Sequence, residues 1–488
     1  MKDIVLFGAS GLGQEAYAVM HRDYNIISFV DNSELKWQTY FCDKPVWSLE
    51  QVVAYENAYI IITSMYALEI SKQLAQLGIT EFGVYHGSYT GKDGKVNVRI
   101  EQFDLNNSVY NQRHKQIGLI TSSYSGSNIV ALLKLMPEKY KTKYNVNFCH
   151  SSEMGYHFFN RYSFLREILE NRMLVFDDVS PSRKTEDNFY VQLWHGFPIK
   201  GLGYMEKNVM ENEKHHQHWL QFDDIASYSS FYNIVMGACM GIPRDKFVTT
   251  GMPRNDFLYG TNGREKLEKL LNVNFVDKKI IYLMPTYRQS KLLKQTSGNK
   301  NWSNIFGFDS FREADFSEFL KENNIALIIK THPLEEEEVM PYLNRLGDEN
   351  IYLLSDQVLL DHRTDLYETL NAADLLITDY SSVYFDYLLL DRPILFTPVD
   401  LDEYSESRGF VLEPYEMWTP GPKTMSQSDL QAEIIKLFYN ESYYAQERRK
   451  LKEMAHVFMD GKSSERVWDR INERMDGEKQ AMLGSLSL

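Results

Sequence analysis

The sequence predicts an α/β protein made of three successive units, each built on a parallel sheet. Short runs rich in β-branched residues alternate with segments of helical periodicity, beginning with a predicted strand at Ile4–Phe7 and a predicted helix at Gln14–Met20. Strands that are separated by helices form right-handed crossovers, which make neighbouring strands parallel. The chain has 488 residues. It is therefore too long for one hydrophobic core, and about two to four domains are expected.

The first predicted unit covers residues 1–90 and ends before a polar stretch, 91–115, that we interpret as a linker. Its first strand runs into three glycines, Gly8, Gly11 and Gly13, and its second strand, Ile26–Val30, is followed by Asp31. This layout is typical of a nucleotide-binding turn. The glycine spacing is closer to that of sugar-nucleotide epimerases than to the G-x-G-x-x-G dinucleotide fingerprint. The remaining predicted elements are the strands Tyr59–Thr63 and Phe82–Tyr85 and the helix Leu68–Leu77.

Two interpretations of this first unit stay open. It either holds a nucleotide or a nucleotide sugar at Gly8, Gly11, Gly13 and Asp31, or it is a Rossmann-like module kept for packing or for contact with a partner. An NAD-dependent oxidoreductase is disfavoured, because no substrate domain with its own catalytic residues follows the glycine turn.

The second and third predicted units cover residues 116–272 and 273–480, and each contains several strands of its own. Those of the second unit are Ile117–Ile120, Val146–Cys149, Met173–Phe176, Tyr190–Leu193 and Phe247–Thr250. Those of the third are Lys279–Met284, Ile325–Lys330, Leu375–Thr378 and Ile394–Thr397, and helices follow Ser426. Two tandem α/β units with a cleft between them are one architecture that binds an activated donor.

Composition and charge exclude several classes of protein. A formal net charge of −15 argues against nucleic-acid binding, which needs clustered Lys and Arg. The three cysteines, Cys42, Cys149 and Cys239, are too far apart in sequence for a disulfide framework or a zinc site. We expect a cytoplasmic protein without a signal peptide, because no long apolar run is present and the N-terminus begins directly with a strand pattern. Contact with the inner face of the membrane, a homo-oligomer and a Mg²⁺ ion are left open.

Polar side chains follow four of the predicted strands at the point where each strand ends. These ends read WHGFPIK at 194–200, PTYR at 285–288, THP at 331–333 and DYSS at 379–382. Ligands of open parallel sheets bind outside the carboxyl ends of the strands. Arg, Ser and Thr at these positions suit a phosphorylated ligand, because a guanidinium binds phosphate with two parallel hydrogen bonds and hydroxyls donate to it.

The chemistry that such a cleft supports is attack of an alcohol on a phosphorus of a pyrophosphate. A base must remove the proton of the hydroxyl group, and a histidine near neutral pKa suits that task. Cationic and donor groups must stabilise the charge on the phosphoryl oxygens. His195 and His332 fall in different units, which fits a base on the acceptor side and a phosphate contact on the donor side.

Five ordered segments resemble the CDP-glycerol glycerophosphotransferase family, the teichoic-acid primases and polymerases and related capsule polymerases. The segments are WHGFPIKGLG at 194–203, GMPRNDFL at 251–258, MPTYR at 284–288, IKTHP at 329–333 and TDYSSVYFDYLLLDRPILF at 378–396. The resemblance covers about residues 115 to 470. It implies a GT-B-like fold with two Rossmann-type domains, a CDP-activated polyol as donor, and a lipid-linked or polymeric acceptor. The first ~90 residues resemble instead the N-terminal domain of sugar O-acyltransferases.

The resemblance also implies roles for individual residues. His195 corresponds to the catalytic base of the family, and His332, Ser381 and Ser382 correspond to residues associated with the donor pyrophosphate. Lys200, Arg254, Arg288 and Thr378 are further predicted phosphate contacts, whereas Asp379 is predicted to be structural.

Two other functions remain open on the sequence. One is a GT-B glycosyltransferase that uses a nucleotide sugar. The other is a non-catalytic scaffold that senses a nucleotide, which the presence of both His195 and His332 disfavours.

Overall fold

The structure is a computed structural model, and its description covers most of the chain. The described residues are 3–55, 58–90, 96–107, 112–150, 165–178, 184–207, 212–290, 295–296, 300, 304–332, 335–336, 339–340, 342–343 and 347–485. They fall into two compact units. The first comprises the described residues up to Gly118 together with 165–172 and 185–188, and the second comprises 119–150, 173–178, Lys184 and the described residues from Phe189 onward.

The first unit is built on a seven-stranded sheet of order β3-β4-β2-β1-β5-β6-β7. Its strands are β1 (Asp3–Phe7), β2 (Ile26–Val30), β3 (Tyr40–Phe41), β4 (Lys44–Trp47), β5 (Ala58–Ile62), β6 (Glu81–Thr90) and β7 (Val96–Asp104). Its helices are α1 (Gly11–Met20), α2 (Leu49–Val53), α3 (Ala67–Gln76) and α6 (Leu165–Glu170). The four predicted strands correspond to β1, β2, β5 and β6, which pair in parallel as expected.

The predicted linker 91–115 is wrong for the part that forms β7. This strand pairs antiparallel with β6 over the whole of Val96–Asp104 and extends the first sheet. Val96, Val98 and Ile100 alternate with polar residues, which is the period of a strand with two different faces. This alternation was not recognised in the sequence because the residues around it are polar and rich in glycine. Residues 91–95 and 108–111 of the predicted linker lie outside the described residues.

The second unit contains two parallel sheets, one for each predicted GT-B half. The first has the order β13-β12-β11-β10-β8-β9 and the second β18-β17-β14-β19-β20. The strands are β8 (Gln116–Thr121), β9 (Asn145–His150), β10 (Met173–Phe176), β11 (Phe189–Gln192), β12 (Asp224–Ser227), β13 (Phe247–Thr249), β14 (Lys279–Met284), β15 (Gln289–Ser290), β16 (Gln295–Thr296), β17 (Ile325–Ile329), β18 (Ile351–Leu353), β19 (Leu375–Thr378) and β20 (Ile394–Phe396), of which β15 and β16 form a separate hairpin.

Helices surround these two sheets. They are α4 (Asn128–Lys134), α5 (Glu138–Lys141), α7 (Asn212–Leu220), α8 (Ser230–Met240), α9 (Phe257–Gly260), α10 (Gly263–Leu271), α11 (Glu313–Glu322), α12 (Asp356–Asp361), α13 (Tyr367–Leu370), α14 (Val383–Tyr387), α15 (Leu401–Ser407), α16 (Tyr415–Trp418), α17 (Gln427–Tyr439), α18 (Ala445–Ala455) and α19 (Ser463–Ser485). The central strands of the second sheet are apolar and fully buried. Helices on both faces of a parallel sheet produce this pattern.

The last helix belongs to the first GT-B half in its packing, although it follows the second half in sequence. The indole of Trp468 is fully buried and its Nε1 donates to the carbonyl of Leu132 at 2.9 Å. Arg470 and Arg474 of the same helix both contact the carboxylate of Asp224. The chain therefore crosses back to the first half beyond α18, which differs from the predicted boundary that kept 273–480 together.

None of the helices in the described part of the chain is both long enough and apolar enough to cross a membrane.

Candidate active site

The loop after β11 carries His195 and is held in an unusual backbone conformation. Trp194 has a φ of 53°, in the left-handed region that non-glycine residues rarely adopt. Its N–H donates to Gln192 Oε1 at 2.9 Å, and its carbonyl accepts from Asn128 Nδ2 at 2.6 Å. The next turn needs a glycine, because a Cβ on Gly196 would lie 2.5 Å from Ser382 Oγ. The loop is therefore fixed from several sides, as backbone strain at a functional site requires.

Arg254 is a buried hub that joins this loop to the second GT-B half. Its Nη1 donates to the carbonyls of His195 and Gly126, each at 2.8 Å. Its Nη2 lies 2.6 Å from Asp386 Oδ2, and both side chains are almost completely buried. The guanidinium also stacks over the ring of Tyr367, 4.6 Å from its centroid. The guanidinium of Arg254 is therefore occupied by contacts within the protein. The structure does not place it where it would contact a phosphate in the open cleft.

The imidazole of His195 is partly exposed and lies near a carboxylate. Its side chain is 52% exposed, and its Nδ1 lies 3.9 Å from Asp178 Oδ1. The protein walls around the imidazole lower its pKa below the usual value, because they displace water that would solvate the charged ring. Arg254 and Lys200 lower it further, while Asp178 opposes them. The imidazole is consequently neutral near pH 7, which is the state a general base needs.

His332 follows β17 in the second half and is also neutral near pH 7. Its ring stacks on Tyr287 with centroids 4.5 Å apart. Burial lowers the pKa of His332 to about 4, and the positive charges of Lys330 and Lys200 act in the same direction. Asp356 and Asp178 oppose that shift. A neutral imidazole contributes a hydrogen bond, rather than a charge, to whatever ligand it meets.

The two histidines share electrostatic neighbours. Asp178 and Lys200 each act on both His195 and His332. Lys200 itself makes no side-chain hydrogen bond or ion pair with any other described residue. Burial, together with the charges of Arg408 and Arg288, lowers the pKa of Lys200 to about 7. An amine in that condition gains most from an incoming anion, because the anion restores the charge that burial disfavours.

The two predicted serines lie at the same cleft. Ser381 and Ser382 follow β19, are half-buried, and have hydroxyls without a protein partner among the described residues. Ser382 lies against Gly196 of the His195 loop. The structure therefore brings together His195, Lys200 and Ser382 from the predicted set, with His332 facing the same lysine.

Arg288 and Thr378 do not reach the open cleft. The guanidinium of Arg288 is 1% exposed and forms ion pairs with Asp379 at 2.7 Å and with Asp400 at 2.8 Å. Asp379 also accepts from the N–H of Thr286 at 2.7 Å, so it ties neighbouring strand ends together as its predicted structural role requires. The hydroxyl of Thr378 is buried and donates to the carbonyl of Met284. These residues stabilise the loops of the cleft through buried contacts.

Asp178 is a functional candidate that the sequence interpretation missed. It is the second residue after β10, so the rule that ligands meet the carboxyl ends of strands would have found it. The predicted site residues were chosen from strand ends that carry hydrogen-bond donors. A carboxylate near a histidine was overlooked for that reason.

The predicted N-terminal nucleotide site is largely occupied by its own unit. A Cβ on Gly13 would lie 1.9 Å from the carbonyl oxygen of Gly8, so close packing of α1 against the turn explains this glycine. Nothing lies within 4 Å of the corresponding position at Gly11. The carboxylate of Asp31 accepts from the Ala9 N–H at 3.1 Å and from Lys36 Nζ at 2.8 Å. The site stays a prediction, and these contacts favour the packing interpretation.

Metal ligands do not cluster in the described parts of the chain. No group of three or more His, Cys, Asp or Glu side chains there could hold a metal ion.

Comparison with known families identifies the larger part of the chain. The family described as CDP-glycerol:poly(glycerophosphate) glycerophosphotransferase matches residues 122–473. The chain belongs to this family. Residues 1–84 match a separate family described as C2185-like, N-terminal. The predicted glycerophosphotransferase membership, and with it the prediction of an enzyme of this transferase type, is confirmed.

Characterised members of the glycerophosphotransferase family share a quarter to a third of their aligned residues with the chain. It is 28% identical over 304 residues to the teichoic acid glycerol-phosphate transferase of Staphylococcus aureus, covering 59% of this chain and 72% of that protein. It is 30% identical over 251 residues to the teichoic acid poly(glycerol phosphate) polymerase of Bacillus spizizenii, covering 49% and 59%. For the poly(ribitol-phosphate) polymerase of the same organism the identity is 28%, covering 65% and 48%. The match thus spans about half the length of these polymerases.

Solved structures confirm the predicted GT-B-like fold. The wall teichoic acid polymerase TagF superposes with a TM-score of 0.60 at 23% identity, over 75% of this chain and 90% of that one. At this identity the likeness establishes the fold.

A substitution of Arg254 tests whether this residue has a structural role or contacts the donor phosphates. In Arg254→Met the buried Asp386 loses its partner, and we expect the free energy of unfolding of the second unit to fall by about 3–5 kcal/mol. Urea unfolding followed by circular dichroism measures this. The double variant Arg254→Met/Asp386→Asn removes the unpaired charge and should recover part of the loss. A single variant with wild-type stability and weaker donor binding would contradict the structural role.

Proposed function

We propose that the chain transfers a polyol phosphate from a CDP-activated polyol to a hydroxyl group of a teichoic-acid or capsule polymer and releases CMP. The observations that carry the proposal are the position of His195 Nδ1, 3.9 Å from Asp178 Oδ1, and the electrostatic action of both Asp178 and Lys200 on His195 and on His332. They combine a neutral candidate base with an amine that an anionic donor would charge. Membership of the glycerophosphotransferase family supports the CDP-polyol as the donor.

In the proposed reaction His195 acts as the general base. Its Nδ1 faces Asp178, so the tautomer with the proton on Nδ1 leaves Nε2 to accept the proton of the acceptor hydroxyl. The acceptor oxygen forms a bond to the phosphorus that carries the polyol. The bond from that phosphorus to the bridging oxygen breaks, and CMP leaves with the electron pair. Base, nucleophile and phosphorus must lie within hydrogen-bonding and contact distance, which a loop fixed as rigidly as Trp194–Gly196 supports.

The donor side of the cleft stabilises the phosphates. Lys200 supplies a positive charge, and the hydroxyls of Ser381 and Ser382 donate hydrogen bonds. His332 donates from its neutral ring, and its stacking on Tyr287 fixes the ring plane. Arg254, Arg288 and Thr378 act beneath these groups by holding the loops in place.

The proposal places the protein on the cytoplasmic side, where it would reach a lipid-linked or polymeric acceptor by peripheral contact with the membrane. A homo-oligomer stays a prediction that sedimentation analysis of the purified chain tests. For the first unit we propose an accessory role, because Asp31 and Gly13 are explained by contacts within it.

A donor screen with histidine variants tests the proposed reaction. We expect CMP release with CDP-glycerol or CDP-ribitol and an acceptor, and a loss of about a hundredfold or more in His195→Ala and His332→Ala. The control is His362→Ala, which removes an exposed imidazole of the same half whose hydrogen bond is to the carbonyl of Val358. Release of a nucleotide from nucleotide sugars alone would favour a glycosyltransferase. If either His195→Ala or His332→Ala keeps a turnover near that of the wild type, the histidine that was replaced has no part in the mechanism.

The charge of Lys200 makes donor binding depend on pH. With a pKa of about 7 in the empty cleft, the amine is charged below that pH and neutral above it. Affinity for the donor should therefore fall about tenfold between about pH 6 and about pH 8, as titration calorimetry with a CDP-polyol can measure. In Lys200→Arg the charge persists throughout, so this pH dependence should disappear. An equal pH dependence in both proteins would assign it to another group.

A substitution at Gly11 tests the accessory role of the first unit. Since no atom lies within 4 Å of a Cβ built there, Gly11→Leu should fold normally and obstruct any ligand at this turn. We expect the kcat and KM of transfer to stay within about twofold of the wild type, because an accessory unit supplies no group to the reaction and surface substitutions usually have small effects. Loss of transfer in a well-folded Gly11→Leu would show that the turn takes part in the reaction.

A further inference from the structure

The serine-rich segment between β8 and α4, residues Ser122–Ser127, hydrogen-bonds to Asp178 and Asp356, the aspartates that act electrostatically on His195 and His332. We call it the serine loop. Its sequence, SSYSGS, was not among the motifs that predicted the site. Both GT-B halves contact it, because its partners include Asp177 and Asp178 after β10 in the first half and Asp356 and Asp365 in the second half.

On the side of His195 the serine loop holds the carboxylate that faces the ring. Ser122 Oγ donates to Asp178 Oδ2 at 2.7 Å, and Asp178 Oδ1 is the atom that lies 3.9 Å from His195 Nδ1. The neighbouring Asp177 is fixed in the same way, since Ser127 Oγ donates to its Oδ2 at 2.6 Å. A carboxylate that is held by a hydroxyl keeps one oxygen near the imidazole, where its negative charge favours the protonated ring.

On the side of His332 the loop acts through a second aspartate. Ser125 Oγ donates to Asp356 Oδ1 at 2.5 Å, and the same oxygen lies 2.6 Å from Lys330 Nζ. Lys330 Nζ in turn donates to the carbonyl of Thr331 at 2.7 Å. That carbonyl belongs to the peptide group preceding His332, so the chain of contacts from Ser125 ends at the backbone of the second histidine.

The loop is itself anchored across the two halves. The N–H groups of Gly126 and Ser127 donate to Asp365 Oδ2 at 3.2 and 2.8 Å. The carbonyl of Gly126 accepts from Arg254, whose guanidinium also holds the carbonyl of His195. Because the loop is hydrogen-bonded to residues of both halves, a shift of the loop would displace residues in both halves.

We propose that the serine loop Ser122–Ser127 is the element that positions the two histidines relative to each other, acting on His195 through Asp178 and on His332 through Asp356. Asp178 and Asp356 are positioning residues in this arrangement, because each acts through a histidine. The inference deepens the proposed function, on which its catalytic meaning rests.

The charges that face each histidine determine what the variants should do. His195 is faced by Asp178, Arg254 and Lys200. His332 is faced by Asp356, Lys330, Lys200 and Asp178. In both cases the aspartates favour the protonated ring and the cations oppose it, so removal of an aspartate charge lowers the pKa of the histidine that it faces.

The test combines histidine titration with kinetics in Asp178→Asn, Asp356→Asn, Ser122→Ala and Ser125→Ala. NMR of the histidine ring signals in the donor-free protein, assigned with His195→Ala and His332→Ala, follows protonation without any reaction. We expect Asp178→Asn to shift the titration of His195 to lower pH and Asp356→Asn to shift that of His332. The kcat should fall about tenfold to a hundredfold in the aspartate variants and less in the serine variants, which keep the carboxylates.

The control is Ser426→Ala, which removes another serine-to-aspartate hydrogen bond, to Asp429, at the exposed start of α17. It should leave both titrations and kcat unchanged. A fall in kcat with unmoved titrations in Asp178→Asn and Asp356→Asn would assign them a merely structural role and overturn the inference. If an aspartate variant does not fold, an unchanged kcat in both Ser122→Ala and Ser125→Ala overturns the inference instead. If the titrations move but the wild-type protein transfers no polyol phosphate, the positioning stands and the proposed function fails.

Discussion

The buried ion pair between Arg254 and Asp386 is the interaction on which the cleft depends. It links the turn after β13 to α14, and therefore the sheet that carries His195 to the sheet that carries His332. Both charges are almost fully removed from water, where either one alone would be strongly destabilising. Because the same guanidinium holds the carbonyl of His195, a separation of the halves would also displace the candidate base.

The cleft formed in this way keeps its histidines neutral and its acids in fixed positions. The surrounding protein displaces water from both imidazoles and so disfavours their charge, although each histidine keeps an exposed part, and the cations nearby act in the same direction. Asp178 and Asp356 oppose that effect, but each is tied to a serine hydroxyl and so retains one geometry. The pKa of Lys200 is lowered to about 7, so an anionic ligand would favour its charged form. An arrangement of this kind provides positive charge where the donor phosphates arrive while leaving a base ready to accept a proton.

The first unit is a separate structure with its own sheet and its own family match. The glycine turn that suggests a nucleotide site has an internal explanation, because Gly13 packs against the carbonyl of Gly8 and Asp31 binds the turn and Lys36. The β6–β7 hairpin extends the sheet into residues that read as a linker. These features describe a folded module with a sheet of its own.

The sequence by itself determined the parallel strands, the order of the motifs and both histidines, because strand periodicity and the position of polar residues at strand ends are local properties. Only the tertiary structure distinguished one cation from another. Arg254 and Arg288 resemble phosphate contacts in sequence, yet carboxylates more than 90 residues away neutralise them. Among the residues that the structure describes, Lys200 meets no such partner. Which cation remains available depends on packing between distant segments, and no local pattern encodes that.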